Sequence, residues 1–76
     1  MEARTKRYLA GLNPKYRRQL NWIRSGAVGD RLNTVTESEK KLVRSEIRGY
    51  LSALEAAEII THVQFRCLYV YYTLNI

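Results

Sequence analysis

A chain of 76 residues is expected to form one domain, residues 1–76, and at this size folding buries only about 60% of the surface that the unfolded chain exposes. Its single cysteine and single histidine, Cys67 and His62, exclude an intramolecular disulfide and a four-ligand zinc site built within one copy. The formal net charge of +6 lies wholly within residues 1–31, where eight Lys or Arg stand against Glu2 and Asp30; residues 32–76 carry five charges of each sign. That asymmetry points to an electrostatic partner such as nucleic acid, an anionic membrane or an acidic protein face.

The charged opening, Met1-Glu2-Ala3-Arg4-Thr5-Lys6-Arg7, precedes no apolar run with a cleavage site, so no secretory leader is expected and the location expected is cytoplasmic. From Ala3 to Ala10 the chain suits a short helix ended by Gly11, with Tyr8, Leu9 and Leu12 turned inward. Asn13-Pro14 is the clearest start signal, because Asn is a strong N-cap and Pro suits the first helical position, where its missing N–H costs nothing. A helix is predicted from about Pro14 to Arg24, with Tyr16, Leu20 and Ile23 facing inward and Ser25-Gly26 as its stop. Gly26 to Asn33 reads as the main loop.

Thr36-Glu37-Ser38-Glu39 matches a capping box, in which hydroxyl and carboxylate satisfy each other's orphan N–H groups. The stripe Val43, Ile47, Tyr50, Leu54 follows at helical spacing, with Glu37 and Lys41 as a favourable i, i+4 pair. Gly49 interrupts the pattern and Ser52-Ala53-Leu54-Glu55 offers a second box, so a break or kink is predicted at 49–52, the alternative being a helix continuing at a cost of about 1 kcal/mol relative to Ala. The tail from Ala53 reads as a helix with Leu54, Ala57, Ile60, Val63, Cys67, Val70, Tyr71 and Leu74 on one side. Its last ten residues are aromatic and β-branched, so a dimer-forming strand is the alternative to helix there. Ile59 to Ile76 is the most apolar stretch, yet His62, Gln64 and Arg66 leave about ten apolar-rich residues where a membrane span needs about 20. The fold class expected is all-α, a small bundle of three to four helices.

No catalytic constellation is visible. On a helix, His62 and Cys67 diverge by about 140°, and neither a Gly-rich phosphate loop nor a Lys-Ser/Thr follows Gly26 and Gly29. No enzyme activity, cofactor, metal or small-molecule substrate is expected. A helix-turn-helix fits poorly: the 26–35 connection is too long, and the helix after Gly49 carries Glu55 and Glu58 and no cation to meet phosphate. The better partner-binding candidate is the Pro14 helix, where Lys15, Arg17, Arg18 and Arg24 surround Trp22. A second basic group, Lys40, Lys41, Arg44 and Arg48, follows Thr36, diluted by Glu37, Glu39 and Glu46. Tyr69, Tyr71 and Tyr72 point in different directions and suit either the core or a partner or homodimer seam.

These features predict a small non-catalytic binding protein, a nucleic-acid-binding regulatory or accessory factor, with an adaptor or inhibitor gripping an acidic protein surface as the alternative. In size and composition it resembles accessory regulators of phages and mobile elements, a likeness that no motif carries.

Overall fold

Asn13 caps the basic helix as its sequence requires: the side-chain Oδ1 accepts the Lys15 N–H at 3.0 Å, and the helix starts at Pro14. The computed structural model describes residues 2–28, 35–74 and 76. Among these residues the chain is all-helical: α1 spans Ala3–Gly11, α2 Pro14–Val28, α3 Glu37–Ala56 and α4 His62–Thr73. The ambiguous tail is therefore helix, not strand, up to Thr73.

α3 is the central element. α2 packs along one side of it, α4 along another, and α1 lies chiefly on α4. The core is built from Leu12, Leu20 on α2, Val43, Ile47, Leu51 and Leu54 on α3, Ile60, and Leu68 and Tyr72 on α4. Tyr16 and Ile23 pack partly buried against it, as their spacing from Leu20 requires.

Four sequence expectations are corrected. The Pro14 helix does not stop at Ser25-Gly26 but runs to Val28; a Cβ added at Gly26 would make an ordinary contact with Val43 Cγ2 at 3.4 Å, which places this stretch of α2 beside α3. The rest of the expected 26–33 loop, from Gly29 on, lies outside the described residues. At Gly49 the helix does not break into two segments, because four buried side chains, Val43, Ile47, Leu51 and Leu54, anchor α3 on both sides of it. Burying those four is worth several kcal/mol, which exceeds the glycine penalty of about 1 kcal/mol. Glu37 pairs with Lys40 (i, i+3) at 3.5 Å, one residue earlier than the expected Lys41.

The fourth correction concerns the tail. Ser52 caps nothing, since α3 continues through it to Ala56. There the chain turns by a Schellman motif, in which Glu58 N–H donates to Glu55 O and Ile59 N–H to Leu54 O, both at 2.9 Å, with Glu58 in the left-handed region at φ 60°. α4 then starts at a complete capping box: Thr61 Oγ1 accepts from Gln64 N–H at 3.2 Å, while Gln64 Oε1 accepts from Thr61 N–H at 2.6 Å. Thr36 makes only the first half of such a box, with Glu39 N–H. The restart at Thr61 sets the phase of α4. Leu68 and Tyr72 face inward, whereas Val63, Val70 and Leu74, expected on the buried side, are exposed.

Candidate functional site

α2 carries Lys15, Arg17, Arg18 and Arg24 and no carboxylate, and none lies in α1 either. At 100° per residue these cations separate into two groups. Lys15, Arg18 and Trp22 fall within about 60° of one another on the side opposite buried Leu20, and all three are exposed. Arg17 and Arg24 lie on the flank nearer α4 and are half-buried. Arg24 Nη2 donates to the Leu74 main-chain oxygen at 3.2 Å, and Arg17 lies close enough to Tyr72 to favour its phenolate.

Trp22 is 73% exposed, the most exposed of the large apolar residues described. Burying an indole is worth about 3 to 4 kcal/mol at roughly 25 cal/mol per Å², and a chain with so small a core forgoes that contribution here. Neither the core nor α4 takes the ring. Arg18 is not stacked on it; among the described residues the one cation seated over an aromatic ring is Lys15, whose Nζ is 5.0 Å from the Tyr16 centroid.

The second basic group does not join this face. Arg44 Nη1 donates to the Ile76 main-chain oxygen at 2.7 Å, and Lys40 is paired with Glu37. Lys41 and Arg48 are exposed on the Arg44 flank, about half a turn around α3 from Val43 and Tyr50, the side that α2 covers. The eight cation and tryptophan positions singled out in the sequence therefore divide into an outward face on α2 (Lys15, Arg18, Trp22), a pair across the molecule (Lys41, Arg48), and three arginines turned to α4 and the residues after it (Arg17, Arg24, Arg44).

Of the C-terminal tyrosines Tyr72 is buried, and Tyr69 and Tyr71 pack half-buried against the core. Tyr72 is 2% exposed, Tyr71 meets it edge to face at 5.0 Å, and Tyr69 stacks on Phe65 at 6.2 Å. Burial pushes the Tyr72 phenol above its usual range; neighbouring Tyr71 adds to this and Arg17 opposes it. The free apolar side of α4 is Val63 and Val70, which with half-buried Cys67 line an open groove of about 430 Å³ against Glu2, Arg4 and Thr5, with Arg66 at its rim. The sequence reading missed this groove because it placed Val63 and Val70 in the core. The Thr61-x-x-Gln64 spacing was the signal that could have set the phase.

His62 and Cys67 diverge as their spacing demands: His62 Nδ1 lies 3.2 Å from Glu55 Oε1 across the α3–α4 turn, and Cys67 faces α1. The junction Leu12-Asn13 is short, but α1 packs chiefly on α4, not across α2, so the two do not form a helix-turn-helix.

The chain matches no protein-family model, no curated protein and no solved structure. Among the described residues no helix is long and apolar enough to cross a membrane.

Proposed function

We propose that the protein is a non-catalytic nucleic-acid-binding accessory factor whose contact face is the outward side of α2. One observation carries this reading: Trp22 stands 73% exposed beside exposed Lys15 and Arg18, on a helix that has no carboxylate to repel phosphate. Cations neutralise phosphates and release their counterions, while the ring offers a base-sized apolar surface.

Binding to random duplex, single-stranded DNA and RNA, measured by gel shift or anisotropy over a salt series, tests it. Affinity should fall linearly on a log-log salt plot, and Arg18→Ala should lower the slope by about one. No binding at tens of micromolar in low salt would refute it.

A second reading, an adaptor gripping an acidic protein, draws on a different feature: the α1–α4 groove, whose apolar floor of Val63 and Val70 is flanked by Arg66 and by Arg4, the latter paired with Glu2 at 3.6 Å. A partner there would present an apolar ridge with acidic edges. Loss of binding in Val70→Asp with Arg18→Ala unaffected would favour it.

A further inference from the structure

We propose that the nucleic acid taken by the α2 face is single-stranded, with an unpaired base stacked on Trp22 and neighbouring phosphates held by Arg18 and Lys15. This deepens the nucleic-acid reading above and rests on it.

The argument turns on what an outward indole can reach. In a duplex both faces of every base are covered by the neighbouring pairs, so a ring carried on a helix meets only groove edges. There an indole offers a single N–H donor and no acceptor, which makes it a poor reader of bases. A single strand leaves base faces open, and stacking on an aromatic ring is how sequence-tolerant binders of single strands hold them. Trp22 meets that requirement, since no described ring or cation occupies its surface; the aromatic contacts present join His62 to Phe65, Phe65 to Tyr69 and Tyr71 to Tyr72.

The cations are placed to match. Arg18 and Lys15 precede Trp22 by four and seven residues on the same side, about 6 Å and 10 Å along the axis at 1.5 Å per residue, so a strand laid along α2 meets ring and charges in succession. Arg17 and Arg24 take no part, because they face α4.

Trp22 is the only tryptophan, so tryptophan emission reports on this ring alone. The full chain is titrated with an oligothymidylate of about a dozen nucleotides, a duplex of equal length and heparin, following emission together with competition for a labelled oligothymidylate. Oligothymidylate is expected to quench emission and to bind about tenfold or more tighter than the duplex at equal salt, whereas heparin leaves emission nearly unchanged. Trp22→Ala, checked for an unaltered melting curve, should weaken oligothymidylate binding roughly 5- to 150-fold, and Trp22→Phe should restore most of it. If duplex and single strand bind equally, or heparin quenches as strongly, the face holds phosphate only, and stacking is refuted while nucleic-acid binding stands. If no nucleic acid binds but polyglutamate does, both readings fall.

Discussion

Gly49 sits near the middle of α3, exposed, and a Cβ built on it meets nothing within 4 Å. Gly49→Ala should therefore gain the whole propensity difference, about 0.8 to 1 kcal/mol, with no clash to subtract from it. For a domain of this length that corresponds to a rise in melting temperature of about 4 to 8 °C. Circular dichroism melts and urea titrations of parent and variant measure it. Gly26→Ala is the internal comparison: it stands near the end of α2, where helix propensity counts for less, so its propensity gain should be smaller. A lower or unchanged melting temperature for Gly49→Ala would show that the backbone there is not helical, and the continuity of α3 would have to be abandoned.

Glu58 holds φ 60° at the end of α3, a conformation that costs a non-glycine residue about 1 to 2 kcal/mol. Glu58→Gly should stabilise by about 0.5 to 1 kcal/mol after the flexibility glycine adds to the unfolded chain, and should exceed Glu58→Ala, which keeps the strain; equal urea midpoints would refute the motif. Arg44→Ala removes a charged hydrogen bond to Ile76 and should cost about 1 to 2 kcal/mol while leaving the salt slope for nucleic acid intact; an unchanged melt with a reduced slope would return Arg44 to the binding face. Because the Tyr72 phenol titrates above its usual value of about 10 when folded, the unfolded chain loses this proton first, so stability present below pH 10 declines as pH rises beyond it, by up to about 1.4 kcal/mol per pH unit. Urea midpoints of the parent should fall between pH 9.5 and 11 more steeply than those of Tyr72→Phe, and parallel curves would show that the phenol is not held neutral.

Signals resting on a local hydrogen bond were legible in the sequence. Asn13-Pro14 and Thr36 start helices where they should, because their side chains satisfy N–H groups two or three residues on. Ends set by tertiary contact were not. Gly26 looked like a stop, but the helix runs past it to Val28 alongside α3, and Gly49 looked like a break, but the buried residues around it outweigh its propensity. The end of α3 left no glycine to read, since Glu58 occupies the position glycine usually takes. That missing signal merged the α3 end with α4 and put Val63 and Val70 on the wrong side. For the candidate site, composition located the basic helix, yet only the packing of α4 separates Arg17 and Arg24, drawn toward it, from Arg18 and Trp22, which face water.

Within its own span α1 has one buried side chain, Thr5, and it lies chiefly on α4. It is the helix with least to lose by detaching, so its amides should exchange with solvent faster than those of α3, through openings well short of global unfolding. Each opening would expose the rest of half-buried Cys67, which lines the open groove beside Thr5. The lone thiol is half-buried with α1 in place, so its labelling by a thiol reagent should be slower than in the urea-unfolded chain and should quicken in any variant that loosens α1 while the other three helices stay together.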